Sequence, residues 1–551
     1  MTASTHPPTS GSSLGTPLFE MPSLYAALVS RVAQTPDAPF VKAGDQWRSF
    51  AEIDFLARSF ASGLADRGVR SGDTVAHISP NREELIISFF ACAYLGAVNV
   101  SLNIYLKGEF LRHQLSDSGA TVLVADGSAA AAAAPLLSET GIRHLVLLGD
   151  PEESRGLGLP TEVSVVEFGK VSGEPSDDLR STMTPADIAG IVYTSGTTGP
   201  SKGCALSNGY YLKLPAAFLD HEWVVPGDRI YTALPLFHLA AQVVLLKALT
   251  IDGVSAVFTR QFSASQFMRE AAAEEATLTW GVGPMAAVML AQPDRGSDSE
   301  YPLRLAIWHG ASRDILDRWE ARFGSIVVGS GYGQTEATGV TLARPSDRDA
   351  RGTMGKPCAH FEYKIVDDDD VPVPAGDVGE LLVRPRSPLG IFSGYWGNPA
   401  ATVSTWRNLW HHTGDFVRED ANGYIIFADR KKDAVRRRGE NVSSFELEAA
   451  IAKHPGIARV AITAVQAPVG DDDIKVSIIA RDGAAITPEQ MYEFFADNLP
   501  YFAIPRYLDV RDSLPLTPTD RVQKHILRDE GIGPHMVDFE KLGLTVSRES
   551  R

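Results

Sequence analysis

Cysteine is scarce in this sequence, and its few copies are too far apart to pair or to bind a metal together. Among 551 residues only Cys92, Cys204 and Cys358 occur. Disulfide frameworks need an even number of cysteines, and metal-binding cysteines usually come in close pairs. Cys204 follows a hydroxyl-rich loop, but the role of a small buried filler explains it better than that of a nucleophile. This cysteine usage fits a reducing compartment.

Long apolar runs and excess positive charge are also lacking. The longest apolar stretch, Leu85 to Val100, is interrupted by Ser88 and Asn99. It is shorter than the ~20 residues that a membrane-spanning helix needs, so it predicts a buried helix. The N-terminus up to Pro17 has neither the basic start nor the apolar core of a signal peptide. The formal charge of −17 argues against nucleic acid or an anionic membrane as a partner. We therefore expect a cytoplasmic protein that binds small molecules.

Length and patterning predict several folding units, because one hydrophobic core does not extend over 551 residues. Helical patterns such as Ser23–Gln34 and Phe50–Arg67 alternate with strand-like stretches such as Asp73–Ile78 and Ile188–Tyr193. This alternation predicts a large layered α/β domain with mostly parallel sheets. After Gly352, two strand patterns around a turn-rich segment predict a small β-rich subdomain.

Beyond Arg430 the pattern changes to a compact α+β arrangement. We predict a disordered tail at 1–20 and a large N-terminal domain at 21–429, whose residues from about 352 to 429 form the β-rich subdomain. A hinge at 430–432 and a small mobile C-terminal domain at 433–551 complete the predicted organisation.

A loop rich in glycine and hydroxyl groups follows the strand-like Ile188–Tyr193. Its glycines let backbone amides approach an anion, its hydroxyls add donors, and Lys202 adds a positive charge. The glycines and hydroxyl residues are Thr194, Ser195, Gly196, Thr197, Thr198 and Gly199. The spacing is not that of a P-loop. The density of donors nevertheless predicts a polyphosphate-binding loop rather than a simple surface turn.

This loop resembles the phosphate-binding motif of the adenylate-forming superfamily, which includes acyl-CoA synthetases, peptide-synthetase adenylation domains and beetle luciferases. Other motifs follow in the order of that family, between about Leu24 and about Arg528. They are Leu234-Pro-Leu-Phe-His238, Gly331-Tyr-Gly-Gln-Thr-Glu336, Trp410-His-His-Thr-Gly-Asp415, Asp429-Arg-Lys-Lys-Asp433 and Gly439-Glu-Asn441. The stretch 439–448 is most similar to crotonobetaine/carnitine–CoA ligases. The chain is identified as a member of this superfamily.

The resemblance implies that the motif from Gly331 to Glu336 contacts ATP. Tyr332 offers a ring face to adenine, and Thr335 offers a hydroxyl to the α-phosphate. A carboxylate tolerates a nearby triphosphate only when a cation lies between them, so Glu336 is expected to hold Mg²⁺. The remaining predicted contacts of this motif are Gly331, Gly333 and Gln334. Taken alone, Gly-Tyr-Gly is also typical of an ordinary turn.

The motif that ends at Asp415 is implied to bind the ribose of ATP. An isolated aspartate accepts hydrogen bonds from the two ribose hydroxyls, as in dinucleotide-binding folds. The adjacent His411 and His412 suggest a metal at first sight, but no third ligand lies nearby in the sequence, so we reject that interpretation.

The acyl pocket is implied to lie near His238 and the stretch Trp308-His-Gly-Ala-Ser312. In the family, an aromatic–histidine pair at this position gates the acyl pocket and the thiol tunnel; a satisfied core histidine is the alternative for His238. The predicted pocket residues are Phe237, His238, Trp280, Trp308, His309 and Gly333. The second stretch matches a Gly-Gly-Ala-Pro strand, so Gly310, Ala311 and Ser312 are expected beside adenine. Because bulky His309 replaces a small residue, we predict a short, partly polar pocket that disfavours long fatty acids.

The C-terminal domain is implied to supply further residues. Arg430 matches a ribose-binding arginine, Lys432 a pivot, and Gly439 a glycine that lines the pantetheine path. A small domain that turns presents two faces to one site and separates adenylation from thioester formation.

One motif departs from the family pattern. Arg521 stands where the family has its adenylating lysine, and Asp520 replaces a glycine. Arg436 likewise stands where lysine is usual. Arginine is not equivalent to lysine at a crowded phosphate, so the departure predicts slower adenylation or an unusual acid.

These features together predict an ATP- and Mg²⁺-dependent ligase that adenylates a small acid and transfers it to coenzyme A. One alternative is an adenylating ligase that uses another acceptor, or a non-carboxylate acid such as nitrite in diazo formation. Another is a nucleotide-binding paralogue whose turnover is weakened by Arg521. ATP–pyrophosphate exchange over a panel of small acids, followed by a test of CoA dependence, distinguishes the three.

Overall fold

Two seven-stranded sheets form the core of the first 330 residues in the computed structural model. The structure describes residues 17–149, 156–171, 173–176, 179, 181–194, 200–296, 298–301, 303–430, 434–438, 440–467, 471–481, 483–484, 486–515 and 522–545. The first sheet has the strands β3 Thr74–Ile78, β4 Val98–Ser101, β5 Val122–Asp126, β6 His144–Leu148, β7 Ser164–Glu167, β8 Ile188–Thr194 and β9 Lys202–Ser207. The second has β1 Pro39–Lys42, β2 Trp47–Ser49, β10 Arg229–Thr232, β11 Ser255–Phe258, β12 Leu278–Val282, β13 Leu305–His309 and β14 Ile326–Val328.

The strands of each sheet are parallel except for one antiparallel edge strand. The orders are β7-β6-β5-β3-β4-β8-β9 and β14-β13-β12-β10-β11-β1-β2, in which β9 and β2 are the antiparallel strands. Buried parallel strands read as nearly continuous apolar runs, which explains segments such as Val122–Asp126. The predicted layered α/β class with mostly parallel sheets is confirmed.

Helices cover the faces of these sheets. They are α1 Leu24–Gln34, α2 Phe50–Asp66, α3 Glu83–Leu95, α4 Gly108–Asp117, α5 Gly127–Ala133, α6 Phe168–Val171, α7 Asn208–Asp220, α8 Leu239–Thr250, α9 Phe267–Ala273, α10 Gly283–Leu290 and α11 Arg313–Phe323. Several begin at a capping side chain; at α2, Ser49 and Glu52 form a reciprocal capping box. None of the helices within the described ranges has the length and apolar character required to span a bilayer.

The apolar stretch from Leu85 to Val100 is not one buried helix, contrary to the sequence-based prediction. Helix α3 ends before Gly96, whose φ is +69°, and the chain then enters β4. Glycine in the left-handed conformation is a common helix end. The prediction failed because a buried helix and a buried parallel strand are both apolar throughout, so that periodicity does not separate them.

Smaller sheets follow these two layers. A three-stranded sheet contains β15 Gly331–Tyr332, β16 Thr341–Leu342 and β17 Lys356–Pro357. The β-rich region contains β18 Phe361–Val366, β19 Gly379–Pro385, β20 His411–Glu419 and β21 Ile425–Arg430, with helix α12 Pro399–Thr405 between β19 and β20.

The C-terminal region is α+β. A hairpin of β22 Ala434–Arg437 and β23 Glu440–Ser443 precedes a four-stranded sheet of β24 Ile457–Val465, β25 Asp473–Ala480, β26 Tyr507–Val510 and β27 Val537–Asp538. Its helices are α13 Ser444–Ile451, α14 Pro488–Asn498 and α15 Lys524–Asp529. The small C-terminal α+β unit agrees with the predicted fold class.

Candidate active site

One edge of the second sheet gathers motifs that are far apart in the sequence. Strands β14, β13, β12 and β10 are parallel neighbours, so their carboxyl ends lie at the same edge. Loops at this edge are the usual ligand sites of α/β folds. The segments that follow three of these strands are Leu234–His238, Gly310–Ser312 and Gly331–Glu336. The topology therefore brings the predicted acyl and nucleotide motifs together.

Asp415 lies at the centre of a partly buried hydrogen-bond network. Its Oδ2 accepts one bond from the Tyr332 hydroxyl at 2.5 Å and another from Gln334 Nε2 at 2.8 Å. Only 1% of Asp415 is exposed. The preceding Gly414 has a φ of +72°, which lets β20 turn and direct Asp415 towards the site. The structure thus joins the predicted adenine and ribose residues in one network.

His411 belongs to this network. Its Nε2 lies 3.2 Å from Gln334 Oε1. Burial lowers the pKa of His411 to about 3, so its imidazole is neutral at physiological pH. The pair His411–His412 drew attention only as a metal candidate, and the orienting contact to Gln334 had no sequence signal.

Glu336 is buried beside the end of strand β8. Its Oε1 accepts a hydrogen bond from the Tyr395 hydroxyl at 2.9 Å and lies 3.4 Å from Thr194 Oγ1. Lys202 Nζ lies 4.9 Å from the centre of the Tyr395 ring. Burial, reinforced by the Glu336 carboxylate, raises the pKa of Tyr395, so the hydroxyl remains a donor. Tyr395 was missed in the sequence because it lies outside the recognised motifs.

The surroundings of Glu336 fit a magnesium ion that is held jointly by the protein and by the phosphates of its substrate. Magnesium is commonly bound by one or two carboxylates together with substrate phosphates. Within the described ranges, no group of three or more His, Cys, Asp or Glu side chains is placed to hold a metal by itself. A single buried carboxylate next to the predicted phosphate loop is therefore compatible with an ion that arrives with ATP.

The turn that carries Gln334 and Glu336 requires glycine at Gly333. A Cβ at this position would lie 2.8 Å from the Gly339 amide nitrogen and 3.0 Å from Thr338 Cα. The Tyr210 hydroxyl lies 3.0 Å from the Thr335 carbonyl oxygen and accepts a bond from the Thr338 amide. These contacts hold the turn against helix α7.

His309 and Trp308 lie on opposite faces of strand β13, so the structure does not bring both into the predicted pocket. The His309 ring is 5.6 Å from the Trp280 ring, at the face towards the nucleotide motifs. The Trp308 ring instead packs 4.6 Å from Trp319 on helix α11 and is fully buried. Trp308 is thus a core residue, because successive side chains of a strand point to opposite faces.

Ser312 begins helix α11. Its hydroxyl accepts a hydrogen bond from the Ile315 amide, and its φ of −66° equals the value that a proline ring imposes. The replacement of the family's proline by serine therefore preserves the backbone. Gly310 and Ala311 form the turn between β13 and this helix.

A cleft lies between the large and the small domain. At this cleft His238 Nε2 lies 3.1 Å from Glu440 Oε1, across the domain boundary. The backbone amide of Ser201 also donates to Glu446 Oε1 at 2.5 Å. Phe237 and Val442 line the same cleft. The hairpin β22–β23 thus faces the end of the predicted acyl pocket.

Several predicted residues fall outside the described part of the chain. These are Ser195, Gly196, Thr197, Thr198, Gly199, Lys432, Gly439 and Arg521. The backbones of Arg430 and Arg436 lie in β21 and β22, whereas their side chains are also outside that part. Their roles stay predictions.

Comparison with known proteins identifies the family. Residues 28–396 match the model of the AMP-binding enzyme family, and residues 446–521 match that of the AMP-binding enzyme C-terminal domain. The chain belongs to the AMP-binding enzyme family. Its assignment to the adenylate-forming superfamily, and the prediction of an AMP-forming acid–CoA ligase or a related ligase, are confirmed at the family level.

Relatives of this AMP-binding enzyme include the crotonobetaine/carnitine–CoA ligase of Escherichia coli. That protein is 30% identical over 475 residues, which are 85% of this chain and 90% of the relative. The enzyme of the same name from Salmonella typhimurium is 29% identical over 87% of this chain and 93% of the relative. The predicted nearness to this branch is confirmed.

Solved structures share the fold of this AMP-binding enzyme. A double mutant of o-succinylbenzoate CoA synthetase from Bacillus subtilis has a TM-score of 0.78 and 24% identity, and covers 92% of this chain and 98% of its own. The amide bond synthetase McbA from Marinactinospora thermotolerans also has a TM-score of 0.78 at 24% identity, over 91% and 99%. ATP-bound MatB from Rhodopseudomonas palustris has a TM-score of 0.65 at 26% identity, over 93% and 99%.

We predict that the contact between His238 and Glu440 depends on pH. Partial burial lowers the pKa of His238, but the charge and hydrogen bond of Glu440 raise it by more, so the net pKa lies above the usual value. A histidine whose pKa is raised by folding contributes to the free energy of unfolding. This contribution is complete below about pH 6.5, and it is lost as the pH rises through the raised pKa. The thermal midpoint of the wild type should therefore exceed that of Glu440→Gln at pH 6.

The difference between these two thermal midpoints should shrink steadily towards pH 9. His238→Asn serves as the control, because in its background the Glu440→Gln change should lose its pH dependence. A difference that is constant from pH 6 to pH 9 would show that the charged pair does not form.

Proposed function

We propose that this AMP-binding enzyme is an ATP-dependent ligase that joins a small acid to coenzyme A. In the first half-reaction an acid oxygen attacks the α-phosphorus of ATP, giving acyl-adenylate and releasing pyrophosphate. In the second, the CoA thiol attacks the acyl carbon, loses its proton and displaces AMP. The observation that carries the proposal is the partly buried network of Tyr332, Gln334 and Asp415, which brings two distant motifs together.

In this proposal, different residues of the chain bind different parts of the nucleotide. The Tyr332 ring packs on adenine, Asp415 accepts from the ribose hydroxyls, and Thr335 donates to the α-phosphate. The loop from Thr194 to Lys202 holds the leaving pyrophosphate. Such preorganised donors around developing charge are the main source of catalysis in this type of transfer.

Glu336 would hold Mg²⁺ when ATP binds. The ion neutralises the charge that develops on the pyrophosphate. Tyr395 keeps the carboxylate in place through its hydrogen bond, which leaves Glu336 buried and close to Thr194 at the end of β8.

Two observations support coenzyme A as the acceptor: the similarity of the chain to CoA ligases, and the cleft beside Phe237 and His238. The crotonobetaine/carnitine–CoA ligase of Escherichia coli covers 85% of the chain at 30% identity. In the described arrangement, hairpin β22–β23 places Glu440 and Val442 next to Phe237 and His238, where a thiol arm would reach the acyl group. A rotation of the small domain would present a different face of it to the site for the adenylation step.

We predict that Glu336→Gln raises the Mg²⁺ concentration required for half-maximal adenylation at least about 10-fold, because a neutral amide is a much weaker ligand for a hard cation. The substitution keeps the side-chain shape, and its oxygen still accepts a bond from Tyr395. The measurement is a Mg²⁺ titration of ATP–pyrophosphate exchange. Glu380→Gln serves as a control. It makes the same change in another buried carboxylate, which lies beside His412 and is not proposed to bind Mg²⁺. Identical titrations for Glu336→Gln and wild type would place the metal ligand elsewhere.

The experiment that tests the proposed function is ATP–pyrophosphate exchange over a panel of small acids. Exchange with an organic acid, followed by CoA-dependent release of AMP, supports the proposal. Exchange without CoA dependence favours another acceptor, such as an amine, in line with the fold shared with an amide bond synthetase. Exchange with nitrite alone would indicate that the enzyme activates a non-carboxylate acid. Nucleotide binding without exchange would indicate a nucleotide-binding paralogue with weakened turnover. A cytoplasmic location stays a prediction.

A further inference from the structure

Beneath the nucleotide motifs lies a buried lysine whose ammonium contacts aromatic rings but has no hydrogen-bond partner in the described part of the chain. Lys247 lies on helix α8 and is 0% exposed. Its Nζ lies 2.9 Å from the centre of the Trp280 ring and 4.0 Å from that of Phe218. Among the residues that the structure describes, this nitrogen has no hydrogen-bond partner. Buried polar groups are almost always hydrogen-bonded, so an orphaned ammonium needs an explanation.

A second buried lysine shows how the fold satisfies such a group when its role is structural. Lys475 is also 0% exposed, but its Nζ donates to the carbonyl oxygens of Leu527 and Gly531. Burial alone lowers the pKa of Lys247 well below its usual value. A nearby anion would reverse that effect and give Lys247 its missing acceptor.

Next to Lys247 lies a second hydrogen-bond donor that lacks an acceptor among the described residues. The indole nitrogen of Trp280 is likewise buried with no partner among the described residues. The edge of an aromatic ring carries positive partial charge, so the indole N–H and the ammonium form one electropositive spot. Because Lys247 already occupies the face of Trp280, a substrate cation at this spot would be repelled.

This spot lies beneath the nucleotide motifs and beside the pocket residue His309. The Trp280 ring is 5.6 Å from that of His309. A Cβ at Gly331 would lie 3.0 Å from the Trp223 ring, and one at Gly339 would lie 4.0 Å from Phe218. The rings of Phe218, Trp223 and Trp280 therefore form a floor directly below the segment that carries Tyr332 and Gln334.

Helix α8 connects this floor to the reactive end of the pocket. His238 precedes the first residue of the helix, and Lys247 follows it by nine positions, or about 13 Å along the axis. Long side chains in helices lean towards the N-terminal end of the helix, which on α8 is the end that His238 precedes. An acid held with its reactive carboxylate near His238 would direct its far end towards Lys247.

We propose that Lys247 binds a second carboxylate of the acid and thereby selects a short dicarboxylic acid as the substrate. The inference rests on the proposed function, because it names the class of acid that this ligase activates. Trp280 donates through its indole N–H to the same carboxylate. The aromatic floor covers the carbon skeleton and sets its length.

The test compares acids of matched length in ATP–pyrophosphate exchange. The set contains a monocarboxylic acid, the dicarboxylic acid with one further carboxyl group, and an acid with a terminal trimethylammonium group. We expect kcat/KM of the wild type to be about 10- to 100-fold higher for the dicarboxylic acid than for the monocarboxylic acid. This is the ratio that one hydrogen bond between charged groups typically produces. Lys247→Met should abolish most of this preference by raising the KM for the dicarboxylic acid. A wild type that prefers the monocarboxylic or cationic acid overturns the inference.

Thermal unfolding gives a readout that does not require turnover. Lys247→Met should raise the thermal midpoint, since it removes an unpartnered buried group, whereas the control Lys475→Met should lower it by leaving two carbonyl groups unpaired. The dicarboxylic acid should stabilise the wild type and not Lys247→Met. Equal stabilisation of both proteins, or a dicarboxylic preference that persists in Lys247→Met, overturns the inference.

These measurements also separate the inference from the proposed function. If the monocarboxylic acid supports exchange and the dicarboxylic acid does not, the ligase activity stands and the role of Lys247 is wrong. If no acid supports exchange but the dicarboxylic acid stabilises the wild type through Lys247, the ligase proposal fails and the binding site stands. The preference of the wild type decides the matter even if Lys247→Met does not fold.

Discussion

Asp415→Ala is expected to lower kcat/KM for ATP in the adenylation half-reaction about 10²- to 10⁴-fold, because two hydrogen bonds to a charged acceptor are lost, each worth ~1.5–3 kcal/mol. Asp415 is buried and already accepts bonds from Tyr332 and Gln334. The carboxylate is therefore oriented before ATP arrives, and its removal also leaves two donors without their acceptor. The measurement is ATP–pyrophosphate exchange as a function of ATP concentration.

Tyr332→Phe is the matched control for the Asp415 prediction. It removes one donor to the carboxylate and keeps the ring face, so the loss should be only about 10-fold. The thermal midpoint of each variant shows whether the fold is retained. A folded Asp415→Ala variant with an unchanged KM for ATP would show that the ribose binds elsewhere.

Arg521→Ala is expected to slow adenylation about 10²- to 10³-fold, since one charge-assisted contact in the transition state is worth ~3–4 kcal/mol. A guanidinium can bridge the substrate carboxylate and the α-phosphate, although it needs more room than an ammonium. Transfer of a pre-formed acyl-adenylate to CoA should be unaffected, because the proposed function assigns that step to the hairpin β22–β23. Single-turnover assays of each half-reaction separate the two steps.

Lys524→Met is the control for the Arg521 prediction. In the described arrangement Lys524 Nζ lies 2.7 Å from Glu448 Oε1 and 2.8 Å from Ser444 Oγ, within the small domain. Its loss should therefore lower the thermal midpoint more than the rate of adenylation. If Lys524→Met slows adenylation and Arg521→Ala does not, Lys524 has the role of the family's lysine.

Motif residues were predictable from the sequence because each acts through its own side chain within a short segment. The order of Leu234–His238, Gly331–Glu336 and the stretch up to Asp415 was sufficient to predict the family. Alternation of helical and strand-like patterns was sufficient to predict the layered α/β class. Element ends were less predictable: the helix predicted to reach Val100 ends before Gly96, because burial removes the periodicity that separates helix from strand.

The partners of the motif residues were not predictable. Tyr395 and Glu336 are 59 positions apart in the sequence, and His238 and Glu440 are 202 apart. Without a recurring spacing between two segments, a hydrogen bond between them leaves no local pattern. The prediction that Trp308 lines the acyl pocket was wrong for a related reason. Residue type alone does not show on which face of β13 a side chain lies.

The sequence by itself determined the family, the nucleotide-binding motifs and the departure at Arg521, since these depend on residue types in fixed local order. Only the tertiary structure decided that His309 packs beside Trp280 while Trp308 packs on α11, and that Lys247 is buried against Trp280 with no hydrogen-bond partner among the described residues. Burial and hydrogen-bond satisfaction are properties of the packed chain, because they depend on which distant segments the sheets bring together.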